Sequence, residues 1–177
     1  MSISECVIIG AGFAGAATAY HLARRGLTDI ALLEQETIPG FHSSGRNAAM
    51  IRQCVSEPAL FDLTRDGAAF LRNLPSDWPE PVQFKQNGSL LLASGDGWKK
   101  LQKEAETGRS LGVDVELWTP TQARRHVTAI ENARFDGAVW CATDGVIDIH
   151  GLLSGYLKYA TAHGAQVHYG GDVRAIR

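Results

Sequence analysis

The sequence predicts an α/β fold built on a parallel sheet, from three observations. Cys6-Val7-Ile8-Ile9 is a short β-branched run closed by glycine. Residues 13–25 then carry Ala16, Ala19, Tyr20 and Ala23 at helical spacing. A second apolar run, Ile30-Ala31-Leu32-Leu33, stops at Glu34. Short continuous apolar runs mark buried strands, and a 3.6-residue spacing marks an amphipathic helix. Strand, helix and strand in succession form a βαβ unit with parallel strands. The first strand is expected to be buried on both faces.

The remaining elements follow in order. After Pro39-Gly40, the stretch His42-Ser43-Ser44-Gly45-Arg46-Asn47-Ala48-Ala49 reads as a loop entering a short helix that either serine could N-cap. Ala59 to Leu74 carry apolar residues at helical spacing. Pro75, Pro79 and Pro81 then mark the best boundary in the chain. Val82–Lys85 and Ser89–Ala93, around Gln86-Asn87-Gly88, read as a hairpin with an Asn-Gly turn. A charged helix over Lys99–Leu111 closes at Gly112, a strand covers Glu116–Trp118, and Thr119-Pro120 opens another short helix. Ala138–Cys141 is a strand, Thr143-Asp144-Gly145 a turn, and residues 151–163 a helix ended by Gly164. Strands are expected near Gln166–Tyr169 and Val173–Ile176.

Composition narrows the function classes. The 177 residues hold 17 Lys and Arg against 19 Asp and Glu, a net charge of −2, so no basic field exists to hold nucleic acid or an anionic membrane. Three widely separated cysteines fit a reducing compartment, read as the cytoplasm, and form no disulfide framework. Six scattered histidines show no metal-ligand spacing, so no metal site is expected. The most apolar stretch, residues 6–20, is glycine-interrupted and too short to span a bilayer. Trp78, Trp98, Trp118 and Trp140 lie in four different elements and suggest no aromatic cage.

Chemistry concentrates at Gly10-Ala11-Gly12-Phe13-Ala14-Gly15, a G-x-G-x-x-G sequence between a strand and a helix. The first glycine permits the tight turn, the second lets backbone approach a pyrophosphate, and the third lets helix and strand pack closely. The helix N-terminus adds N–H groups and a positive dipole. Glu34, 19 residues beyond Gly15, ends the second strand, where a carboxylate accepts both ribose hydroxyls. An acid there disfavours the 2′-phosphate of NADP. The motif alone leaves FAD and NAD both open.

Several segments together resemble the D-amino acid oxidase superfamily of flavoproteins, which includes sarcosine and glycine oxidases and D-amino acid dehydrogenases. They are Val-Ile-Ile-Gly-Ala-Gly-Phe-Ala-Gly at the N-terminus, Leu-Leu-Glu at the second strand end, Ser-Ser-Gly-Arg-Asn-Ala-Ala at 43–49, and Asp-Gly-Val-Ile-Asp at 144–148. The resemblance implies a Rossmann-like FAD-binding βαβ domain with an inserted α+β substrate-side region, incomplete at the C-terminus. Residues 1–80 and 143–177 would form the FAD-binding domain, and 81–142 part of a substrate domain. Gly10, Gly12, Ala14 and Gly15 would face the pyrophosphate, with Phe13 in the same cofactor-binding turn. Glu34 would hold the ribose and Gln35 the adenosine edge. Ser43, Ser44, Arg46, Asn47 and Ala48 match the family's second flavin-contacting segment, and Val173 the residue whose backbone meets the adenine.

His42 and Arg52 flank that loop and could line the substrate side, although a solvated histidine and a surface arginine are the simpler readings. Met50 could meet the flavin or pack in the core, and Cys6 reads as a small core hydrophobe. The activity implied is oxidation of the C–N bond of an amine or amino acid, with hydride passing to flavin. The catalytic residues are not assigned. The chain stops at Arg177, where the family's C-terminal half returns to the FAD domain. It therefore reads as an N-terminal half, whose open sheet edge favours self-association or a complementing C-terminal chain. Two other functions remain open from the residues: an NAD-dependent dehydrogenase, and a non-catalytic nucleotide-binding subunit completed by a partner.

Overall fold

The computed structural model describes residues 3–55 and 57–175. In chain order the strands are β1 (Cys6–Ile9), β2 (Ile30–Glu34), β3 (Met50–Ile51), β4 (Phe84–Lys85), β5 (Ser89–Ala93), β6 (Glu116–Trp118), β7 (Gly137–Cys141), β8 (Gly145–Ile147) and β9 (Gln166–Tyr169). The helices are α1 (Phe13–Arg24), α2 (Phe61–Arg72), α3 (Gly95–Ser110), α4 (Pro120–His126) and α5 (Ile149–Ala162). These elements divide into two compact units. The first comprises Met1–Ala49, Pro75–Gln83 and Ile147–Arg177, and the second Met50–Leu74 and Phe84–Val146.

In the first unit β1, β2 and β9 form a parallel sheet of order β1-β2-β9, with Ile8 opposite Leu32 and Leu32 opposite Val167. The helices α1 and α5 pack against each other. Alanines at 16, 19 and 23 of α1 are buried, and small residues allow such close approach. Tyr20 fills the space they leave, its ring 4.8–5.3 Å from those of Trp78, Tyr156 and Tyr159. Burial pushes the Tyr156 phenol up to about 12. Asp148 caps α5, accepting from the His150 and Gly151 N–H groups at 3.1 and 3.0 Å. One expectation fails at β1: Val7 and Ile9 are 55% and 53% exposed, and Cys6 is only half-buried. A strand's side chains alternate between faces, and here Ile8 alone reaches the buried side fully.

In the second unit β7 is the centre of an antiparallel sheet of order β5-β7-β6, and β8 the centre of a smaller one of order β3-β8-β4. Leu101 and Ala105 of α3 and Phe61 of α2 share a core with Val113, Val115 and Val139. Ala123 of α4 packs with Phe135 and Ala138 in a second cluster. Thr119 caps α4 through a reciprocal bond pair with Gln122.

Further expectations are corrected or refined here. The Asn-Gly hairpin does not form, since β4 pairs with β8 and β5 with β7. Gly88 does take a positive φ of 74°, but its N–H donates to the Asp144 carbonyl and the Trp140 ring covers its α-carbon, so tertiary partners claim the turn. Trp118 and Trp140, distant in sequence, stack at 5.0 Å with His126 tilted against both. The units divide on both sides of the proline-rich stretch, at 74/75 and 83/84, and the chain also changes unit between 49 and 50. Residues 75–83 fold with the first unit, whereas 50–74 join the second, where β3 pairs with β8 and Phe61 enters the core. Residues 173–175 form no strand, and Ile176 lies outside the described residues.

Candidate nucleotide site

The chain must turn sharply at the end of β1 to send α1 back over the sheet. Gly10 makes this turn at φ 96°, a conformation that L side chains rarely adopt, and its N–H donates to the Leu33 carbonyl at 2.7 Å. A Cβ on Gly15 would collide with the Gly10 carbonyl oxygen and crowd Ile8 at 3.2 Å, so helix and turn approach only because that Cβ is absent. Gly12 is the N-cap of α1 and has no side chain to cap it. The Phe13 N–H instead donates to Ser44 Oγ at 3.0 Å. This corrects the expected role of the serines. Ser43–Gly45 form one 3-10 turn behind His42 with no side-chain cap of its own, and the Ser44 hydroxyl serves α1.

Glu34 ties the turn to β2. It is 7% exposed, and its Oε2 accepts from the Ala11 N–H at 2.7 Å while Oε1 accepts from the Glu36 N–H at 2.9 Å. Its carbonyl accepts from the Gly171 N–H at 3.0 Å, which brings the segment after β9 alongside. A carboxylate offers about four lone-pair sites, so these two side-chain bonds leave acceptor capacity for hydroxyls. Burial, and then the Glu34 carboxylate, raise the pKa of the Tyr169 phenol on the neighbouring strand.

These elements enclose a cleft of about 340 Å³. Of the sequence-predicted residues, Gly10, Gly12, Glu34, Gln35, Ser43, Ser44 and Val173 line it, and Phe13, Ala14, Gly15, Arg46, Asn47 and Ala48 do not. Arg46 lies over the Phe41 ring at 4.7 Å. The Asn47 amide donates to the Ser43 and Ser44 carbonyls and accepts from the Ala49 N–H, shaping the loop from within. Ala49 holds a left-handed φ of 56°, unusual for a residue with a Cβ. Sequence reasoning missed Asp172, which lines the cleft, and sent His42 elsewhere, although it too lines the cleft. The Gly170-Gly171 pair after β9 was the available signal. The cleft suits an extended dinucleotide: bare backbone at a helix N-terminus for phosphates, and a carboxylate acceptor for ribose hydroxyls.

In the second unit the late Asp-Gly pair is structural. Asp144 is 1% exposed and accepts from the Gln53 N–H, the Gln53 amide and the Ser89 hydroxyl at 3.0, 3.1 and 2.6 Å. A Cβ on Gly145 would strike the Lys85 carbonyl oxygen. Arg52 is not a simple surface arginine. Its Nη2 donates to the Cys54 carbonyl at 3.1 Å, and its buried Nε has no protein acceptor among the described residues. Met50 is exposed on β3.

Comparison with known proteins agrees with this geometry. A family model described as FAD dependent oxidoreductase matches residues 5–177. The mitochondrial sarcosine dehydrogenase of Homo sapiens is 28% identical over 99% of this chain and 19% of its own length. Sarcosine oxidase subunit beta of Rhizobium meliloti is 29% identical over 98% of this chain and 43% of its own. Among solved structures, L-proline dehydrogenase from P. horikoshii superposes with a TM-score of 0.84 at 26% identity, covering 97% of this chain and 45% of that one. Glycine oxidase from Geobacillus kaustophilus has the same fold, with a TM-score of 0.84 at 22% identity, over 98% of this chain and 48% of that one. The chain thus spans less than half the length of each of these relatives. With the family settled, the cofactor is FAD and not NAD. No helix among the described residues is long and apolar enough to cross a membrane. A strand-turn-helix with this glycine spacing, its acidic strand end and a family match over nearly all its length place the chain among the FAD-dependent oxidoreductases of the D-amino acid oxidase type.

Proposed function

We propose that the whole protein oxidises the C–N bond of a small amine or amino acid, and that this chain supplies the adenosine and pyrophosphate half of its FAD site. The observation that carries the reading is Glu34, buried, bonded to the Ala11 N–H and still able to accept hydroxyls at the cleft. Bound FAD would supply the hydride acceptor for oxidation at the carbon that bears nitrogen, giving an imine that water hydrolyses. The chain's own part is placement. Gly10 and Gly12 bring bare backbone to the phosphates, and Phe13, Ala14 and Gly15 form the first turn of α1 and bring its dipole. Glu34 accepts the ribose hydroxyls, with Gln35 and Val173 at the adenosine edge. Ser43, Ser44, Arg46, Asn47 and Ala48 carry the loop toward the flavin.

The likeness to an oxidase subunit supports work within a larger assembly, including self-association or a complementing chain. Three free cysteines support a reducing compartment such as the cytoplasm. The test is anaerobic mixing of the flavin-loaded full-length protein with sarcosine, glycine, proline and other amino acids. Bleaching of the flavin absorption by at least one is expected, and no bleaching by any amine or amino acid overturns the reading.

A further inference from the structure

We infer that His42 is a further cofactor-binding residue: an imidazole held by Glu36 that, when protonated, donates to the pyrophosphate of FAD. The inference rests on the nucleotide cleft proposed above and deepens it. Glu34 and Asp172 bring negative charge to the cleft lining, and His42 is the one described lining side chain able to carry a positive charge. A dinucleotide adds two phosphate charges, against which the α1 N-terminus offers about half a positive charge.

The described polar contacts of the ring are both at Nε2. His42 Nε2 lies 2.9 Å from Glu36 Oε1, and the Gln35 amide nitrogen approaches the same ring atom at 3.3 Å and the same carboxylate oxygen at 3.5 Å. With the Nε2 proton given to the Glu36 carboxylate, Nδ1 is the atom whose character changes. It is an acceptor in the neutral ring and an N–H donor in the imidazolium. A phosphate oxygen accepts only from the second form. His42 also precedes the turn whose Ser44 hydroxyl accepts from the first N–H of α1, and it lines the same cleft as Gly10 and Gly12 at that helix end.

The acids near the ring are Glu36, in contact with it, and Glu34 and Asp172 along the cleft; the cations are Arg46, over the Phe41 ring that meets His42 edge-on at 5.3 Å, and Arg174, paired with Asp172 at 3.3 Å.

The experiment is FAD binding to the flavin-free full-length protein, followed by flavin fluorescence at about pH 6 and about pH 8, with His42→Gln alongside. The phosphodiester groups of FAD hold constant charge across this range, so a change reports the protein. We expect affinity about fivefold tighter at the lower pH, the scale of one exposed charged contact, and no such change in His42→Gln. Equal wild-type affinity at both values, or an unchanged pH effect in His42→Gln, overturns the role of His42 while leaving the cleft intact. Failure of FAD to bind at either pH overturns the cleft reading, and this inference with it.

Discussion

Glu34 in the first unit and Asp144 in the second are both buried carboxylates that hold backbone N–H groups, yet they do different work. Asp144, at 1% exposure, spends its acceptors on Gln53 and Ser89 inside the protein. Glu34, at 7%, bonds Ala11 and Glu36 and also faces a cleft. Type and burial therefore do not separate an acid closed inside the protein from one that lines a cleft. The distinction is whether acceptor capacity remains on the open side.

Breaking each carboxylate should break a different property. Asp144→Ala has the largest expected effect, a loss of about 3–5 kcal/mol in unfolding free energy, because it strands the Gln53 and Ser89 donors in an interior. Urea unfolding measures this, and a loss below about 1 kcal/mol would show the network to be replaceable. Glu34→Gln should lower stability far less but weaken FAD binding about 10- to 100-fold, the scale of a charged hydrogen bond. Equilibrium flavin titration of the full-length protein checks it. Ser44→Ala comes next, removing the α1 cap at a cost of about 1 kcal/mol. A weakened Phe13 amide protection in hydrogen exchange would be its signature.

The smallest effect compares the two interiors by alkaline titration. Burial pushes the Cys141 thiol of the second unit up to about 11 from 9.0, and the Tyr156 phenol of the first up to about 12 from 10.0. Both raised values favour the folded state below the unfolded pKa. That contribution is lost as pH climbs from about 9 through 12, so the unfolding midpoint in urea should fall across this window. A flat profile would mean that neither group stays protonated in the folded protein.

Much of the first unit was legible. The Cys6–Ile9 and Ile30–Glu34 runs, the α1 periodicity and the glycine spacing are local signals, and the parallel pairing follows from one crossover helix. The second unit was legible element by element but not in its pairing. Asn87-Gly88 carried a hairpin signal that Trp140 and Asp144 overrode. The cleft was legible where the motif is contiguous, at Gly10, Gly12 and Glu34. Ser44 capping a helix 31 residues away, and His42 beside Glu36, were not legible as contacts.

By itself the sequence determined the βαβ unit, the positive-φ glycine at its turn and the acid at its second strand end, because each depends on backbone sterics and periodicity within a few residues. Only the tertiary structure decided which carboxylate keeps an open side, which strands pair in the second unit and which serine caps α1. Those outcomes depend on which distant groups compete for the same hydrogen bond once the chain has closed on itself.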